Sequence, residues 1–191
     1  MMLPMGSQEH FPVPKEKAEK QGISAEAAPS RDEEVFQDIL KIEQAVSADE
    51  ALEETDLRSA YENPAAITVI LLNPDKKIVG FVNALPNTEV YAELSPDDPD
   101  FESNPRYLYI YDIAVEKEAR SLPNFLAMMR QLVEEARQKG FTAITMHTRT
   151  AEGLSSILQK RYNAKLLRTF ENWQGWGKYE YLELNLGSLK T

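Results

Sequence analysis

Cysteine does not occur anywhere in the 191 residues. That excludes a disulfide scaffold, a thiolate metal site and a cysteine nucleophile. Long apolar runs are missing too, and none approaches the roughly 20 residues of a membrane span. The opening MMLPMGSQEH has neither the basic region nor the apolar centre of a secretory signal. The expectation is a cytoplasmic protein with no membrane partner and no metal. Histidine is scarce, limited to His10 and His147. Basic charge is also in deficit, with 21 Lys and Arg against 31 Asp and Glu, a net charge of −10. An acidic chain of this kind is a poor nucleic-acid binder, so no nucleic-acid partner is expected.

The deficit is uneven. Residues 107–191 hold 12 basic and 9 acidic groups, whereas residues 1–106 hold 9 and 22. The locally basic C-terminal part suits either a small phosphorylated ligand or an ordinary solvated surface. Apolar content of 42% and charged content of 27% are those of a globular domain. Residues 1–30, with Pro4, Pro12, Pro14 and Pro29 and little apolar periodicity, predict a disordered tail in which His10 is solvated. Residues 31–191 then form a single domain.

Within that domain, Ser30 followed by Glu33 has the pattern of a helix-capping box. Val35, Phe36, Ile39, Leu40, Ile42 and Val46 lie on one face of the helix that follows. Ser47 and Glu50 repeat the box, and a more acidic helical stretch runs to about Tyr61. Ile67–Leu72 and Lys77–Ala84, joined by Asn-Pro-Asp-Lys, predict a β-hairpin. Gly80 inside its second strand marks a bulge or a close backbone approach. The span from Pro86 to Pro105 has four prolines and the carboxylates of Glu93, Asp97, Asp98, Asp100 and Glu102. It predicts a long loop, either a solvated insertion or an acidic flap over a site for a basic substrate.

Tyr107–Gly140 organises the rest. YLYIYDIAV has the composition of a buried strand, and strict alternation puts Ile110 and Asp112 opposite Tyr111 and Ile113. A charged turn leads to Ser121 and Pro123. Phe125, Leu126, Met128, Met129, Leu132, Val133 and Ala136 then recur at helical spacing up to Gly140, a C-cap residue. A strand entering a helix through a short turn aims backbone N–H groups at that turn, which makes an anion site. A strand over 142–148, a short helix ending at Asn163, and two strands over 165–170 and 179–186 complete the order. A hairpin combined with crossover helices gives a mixed α/β fold, a central mixed sheet with helices on both faces. Trp173 and Trp176, in the loop between the last two strands, either wall a substrate groove, cover the sheet edge or form a homodimer contact.

The element order over roughly 34–186, with the phrases AYENPAAITVILLNPDKKIVGFV, YIYDIAVEKEAR and NWQGWGKYEYLEL, resembles the GNAT acyltransferase superfamily. The last phrase is similar to the ending of its N-terminal and ribosomal-protein alanine acetyltransferases. The resemblance implies an N-acetyltransferase that passes an acyl group from acetyl-CoA to a primary amine, its partners being an acyl-CoA and an amine. It implies that Ile113, Ala114 and Val115 meet the pantetheine arm. It also implies that Arg120, Ser121, Leu122 and Asn124 hold the pyrophosphate, and that Glu152 occupies a cofactor-contacting position. His147 falls where that group carries a general base, and Asp112 is a second base candidate. Each also reads as a hydrogen-bonded structural residue. Arg149 matches a position that is often basic. The pattern departs at the two turn glycines, here Pro123 and Phe125, and at the phenol that protonates the thiolate, here Gln159. Tyr162 is either displaced into that role or packs a helix end. A catalytically silent binding module of the same fold is the alternative.

Overall fold

A computed structural model of the protein describes residues 22–29, 31–47 and 51–188. In chain order the elements are β1 (Ser24–Ala27), α1 (Glu33–Ser47), α2 (Glu54–Glu62), β2 (Ile67–Leu72) and β3 (Ile78–Pro86). There follow α3 (Asn87–Leu94), β4 (Tyr107–Val115), α4 (Leu122–Gln138), β5 (Ala143–Arg149), α5 (Leu154–Tyr162), β6 (Lys165–Phe170) and β7 (Tyr179–Asn185). The strands form one mixed sheet in the order β1-β2-β3-β4-β5-β7-β6, and only β4 and β5 run parallel.

Ser24–Ala27, within the expected tail, is a strand instead. Ser24–Ala27 pairs antiparallel with Val69–Leu72, so the weak strand former SAEA is held by its neighbour rather than by its own propensity. Residues 1–21 lie outside the described residues, as do Ser30 and Glu50 of the two capping boxes. Asp32 caps α1 instead, its carboxylate accepting the N–H groups of Glu34 and Val35 at 3.0 and 3.2 Å.

Two cores lie on opposite faces of the sheet. On one face α4 and α5 bury Leu126, Met128, Met129, Leu132 and Leu158 against Val82, Leu108, Ile144 and Leu182. On the other, Phe36 and Ile39 of α1 and Leu57 and Tyr61 of α2 cover Ile70 and Phe81. Each such side chain contributes about 1.5–3 kcal/mol by leaving water. The helix α4 ends as its sequence predicts. Gly140 takes φ +82° and the Phe141 N–H closes back on Ala136 O at 2.9 Å, satisfying an end carbonyl.

Bulges then reset the strand faces. Leu71 pairs Gly80 while Leu72 pairs Ile78, leaving Val79 extra. A Cβ on Gly80 would meet Ala114 O and Val115 Cγ2 at 3.1 Å each, so β3 comes as close to β4 as only glycine permits. Further along, Asn83 pairs Asp112 while Ala84 pairs Ile110, leaving Tyr111 extra. Strict alternation therefore fails at this point. Ile110 and Ile113 both pack toward α4, whereas Tyr111 and Asp112 both turn to the face of α1 and α2.

The segment predicted as a long loop is largely folded. Asn87–Leu94 is helical, with Asn87, Val90 and Leu94 buried. Asp98 and Phe101 beyond it are also buried, at 1% and 3% exposure. The solvated-insertion reading is thus corrected. Its prolines limit the helix, but the Val90, Leu94 and Phe101 side chains have a core to enter.

Candidate active site

The sheet opens at its centre. β4 and β5 pair only from Tyr107–Tyr109 to Ala143–Thr145, after which β4 stays with β3 and β5 stays with β7. Glu116 N–H bonds Val79 O at 2.9 Å on the β3 side. Alternation along an extended strand therefore turns the N–H and C=O of Val115 toward the opening. Arg120 Nε donates to that carbonyl at 2.9 Å. The Val115 N–H faces the space between the strands, and Tyr111 and Ile113 are partly exposed on β4.

The turn that leads out of β4 is closed by its own bonds. Residues Lys117–Ala119 form a 3-10 turn, and Arg120 N–H bonds Lys117 O. Ser121 caps α4, accepting the Asn124 N–H at 3.3 Å. Pro123 sits in the first helical turn, where a missing donor costs the helix nothing. The Asn124 side chain is buried and donates to Ala119 O at 2.7 Å. Of the expected phosphate contacts, the Asn124 N–H and the Arg120 Nε are therefore committed within the turn. Leu122 is exposed at the helix N-terminus, where helix geometry gives its N–H no internal partner. Phe125, at the second glycine position, packs into the core. Glu152 closes a 3-10 turn after β5.

His147 does not face this opening. Its ring stacks on Trp173 with centroids 3.9 Å apart, and Phe101, Tyr109, Phe170 and Tyr181 complete an aromatic enclosure. The side chain is 2% exposed. Nδ1 lies 3.1 Å from Tyr109 Oη, and Nε2 lies 3.5 Å from Asp98 Oδ2. Burial, with the Arg168 charge second, lowers the ring pKa to about 3. The neighbouring Asp98 would oppose that shift, but its carboxylate is already paired with Arg168, which in turn lies over the Tyr181 ring. The imidazole is thus enclosed and neutral. Trp173 covers the sheet, while Trp176 is exposed.

The three catalytic candidates are not brought together. Asp112 lies under α1, where burial and then the Glu43 charge raise its pKa well above the carboxylate range. Tyr162 sits in the core on the opposite face. Its hydroxyl donates to Leu126 O at 3.3 Å, and burial raises its pKa to about 12. It packs at the end of α5. Arg149 bonds the Tyr179 hydroxyl at 2.9 Å.

A cavity of about 210 Å³ opens beside Tyr111 at the bulge, lined by Asp56 and Ser59 of α2, by Asn63 just after it, and by Glu89 and Glu93 of α3. Tyr111 Oη donates to Glu93 Oε2 at 3.4 Å. Burial raises the Glu93 pKa, and burial followed by the Glu93 charge raises that of Tyr111. Sequence reasoning missed this pocket, because Asp56 and Glu93 meet only through the packing of α2 on α3. The acidic flap over a basic substrate was its one partial signal.

A mixed sheet thus parts between two parallel neighbours, with a strand-turn-helix at the parting. The family model described as the acetyltransferase (GNAT) family matches residues 33–157, and the chain belongs to that family. Its fold is similar to the Escherichia coli ribosomal-protein-S18-alanine N-acetyltransferase, at TM-score 0.66 and 13% identity, covering 88% of this chain and 96% of that one. It is similar to a GCN5-related N-acetyltransferase from Kribbella flavida, at 0.65 and 16%, covering 87% and 99%. A third similar structure is an aminoglycoside 6'-N-acetyltransferase complexed with coenzyme A, at 0.65 and 12%, covering 87% and 99%. No curated sequence relative matches the chain. No helix among the described residues is long and apolar enough to cross a membrane.

Proposed function

We propose that the protein is an N-acyltransferase that moves an acetyl group from acetyl-CoA to a cationic primary amine. The observation that carries this reading is the parting of β4 and β5, with the Val115 N–H turned into the gap. The pantetheine arm would lie along Ile113–Val115. The Val115 N–H would donate to the thioester oxygen as negative charge develops there. Arg120, Ser121 and Leu122 would meet the pyrophosphate, after the Arg120 side chain leaves the Val115 carbonyl. The acidic pocket beside the bulge would receive the amine as an ammonium group. Glu93 is the proton acceptor best placed in that pocket, because burial raises its basicity toward the working pH.

Acetyl-CoA titration by calorimetry, followed by acetyl transfer to a panel of neutral and cationic amines, tests the reading. Binding and a preference for cationic acceptors are expected, with Glu93→Gln lowering kcat/KM by about 100-fold. No detectable binding at millimolar acetyl-CoA would refute it. A second reading, a non-catalytic binding module, is favoured by the turn, where Pro123 lacks a donor and the Asn124 N–H is already capped. The same calorimetry separates the two.

A further inference from the structure

Where α1 crosses the bulged strands, buried polar groups meet that belong neither to the opening nor to the acidic pocket. Glu43 on α1 is 1% exposed. Below it runs a cross-strand row in which Thr68 pairs Asn83 and Asn83 pairs Asp112. Asn83, also 1% exposed, donates from Nδ2 to Thr68 Oγ1 at 2.7 Å. Glu43 Oε1 accepts the Leu52 N–H at 3.1 Å, and the Glu43 carboxyl is within hydrogen-bonding reach of Asp112. Three buried oxygens remain without any donor: Glu43 Oε2, Asn83 Oδ1 and Asp112 Oδ2.

Facing acceptors with no donor are not a stable arrangement for two ionised carboxylates. Each buried lone charge costs several kcal/mol, and like charges in contact add to that. One proton removes the conflict, because it turns one of the two facing oxygens into a donor. We propose that Glu43 and Asp112 form a proton-sharing carboxyl pair beneath the β4 bulge, with the proton on Asp112 and donated to Glu43 Oε2. The Leu52 N–H already occupies Glu43 Oε1, which leaves Glu43 Oε2 as the acceptor for a proton carried by Asp112. Burial acts on Asp112 in the same direction.

The surroundings offer no countercharge. Tyr111, beside Asp112 on β4, is the other titratable group that couples to it. Thr68 and Asn83 from β2 and β3 do not titrate. The inner face of α1 otherwise presents Phe36, Ile39, Leu40 and Ile42, and α2 presents Leu57 and Tyr61. No lysine, arginine or histidine among the described residues bears on Asp112. The pair therefore carries one negative charge and one shared proton. For the acyl-transfer reading, on which only this step rests, Asp112 enters as an acid. The proton of the acceptor amine must then leave to another group, and Glu93 is available.

Side-chain carboxyl ¹³C titration of the full chain, with Asp112 and Glu43 assigned by correlation to their backbone resonances, tests the pair. Asp112 is expected to titrate at least two units above the ordinary value of about 4. Its midpoint is expected to fall by one unit or more in Glu43→Gln, which removes the like charge and supplies an N–H donor. An Asp112 midpoint near 4 in the unmodified protein overturns the proposal, as does an unchanged midpoint in Glu43→Gln. The unmodified titration alone decides if the variant fails to fold. No acyl-CoA is present in either measurement, so its outcome is independent of whether the protein transfers acetyl groups.

Discussion

The buried imidazole at the centre of the aromatic enclosure makes the acid stability of this protein predictable. His147 has a folded pKa of about 3, against about 6.5 in an unfolded chain. Between these values the unfolded state binds the proton and the folded state does not. Stability is therefore complete above about pH 6.5 and is lost as pH falls toward 3. One pH unit is worth about 1.4 kcal/mol for one proton once the unfolded-state histidine is fully charged, so lowering pH from 6.5 to 4 removes roughly 3 kcal/mol through this one side chain. The ring is 2% exposed, so solvent screening reduces the figure little. Carboxylates also titrate in this window, so the comparison is between wild type and His147→Gln, which shares every other group. Urea unfolding at half-unit steps from pH 7 to 4 should give a steeper loss for the wild type, by about 1.4 kcal/mol per pH unit between 6 and 4. Parallel curves for the two proteins would refute both the enclosure and the neutral imidazole.

Other outcomes follow from single contacts. Arg168→Met leaves the Asp98 carboxylate buried without its countercharge and should cost about 2–4 kcal/mol in urea unfolding, somewhat below a fully buried pair because Arg168 is 26% exposed. Adding Asp98→Asn should recover part of that loss. Gly80→Val places side-chain atoms against Ala114 O and Val115, and should cost about 1–3 kcal/mol by forcing β3 from β4, read as a lowered Tm. Pro123→Gly restores one backbone donor at the turn and should tighten acetyl-CoA about 5- to 10-fold by calorimetry, the equivalent of about 1 kcal/mol for a net hydrogen bond.

Much of the architecture was legible because it is carried by local period. The hairpin of β2 and β3, the helix α4 with its Gly140 ending and the αL Asn163 after α5 all matched their sequence signals. What escaped is decided by partners distant in sequence. Ser24–Ala27 has little intrinsic strand preference and forms only beside β2. Prolines and acids made 86–105 look like a loop, yet Asp98 and Phe101 are buried because Arg168, Tyr109 and Tyr181 await them from β6, β4 and β7. Glu43 follows Ile42 on a helix whose acids are mostly solvated, and nothing nearby in sequence announces Asp112 as its partner. His147 illustrates the same limit within the site. Its place on β5 was readable, but the closure over it is made by Trp173 and the α3 segment.

The extra residue at Tyr111 divides β4 into two reading frames. From Tyr107 to Ile110 the even positions face α4 and α5, and from Asp112 to Val115 the odd positions do. Deleting Tyr111 would merge the frames without moving a core residue, because Asp112 would then follow Ile110 on the opposite face while Ile113 and Val115 kept the α4 face. A segment exchanged with a member of the family that lacks the extra residue must therefore be aligned separately on each side of Tyr111, because a graft that crosses it out of phase exchanges core residues for residues of the opposite face while keeping the strand intact.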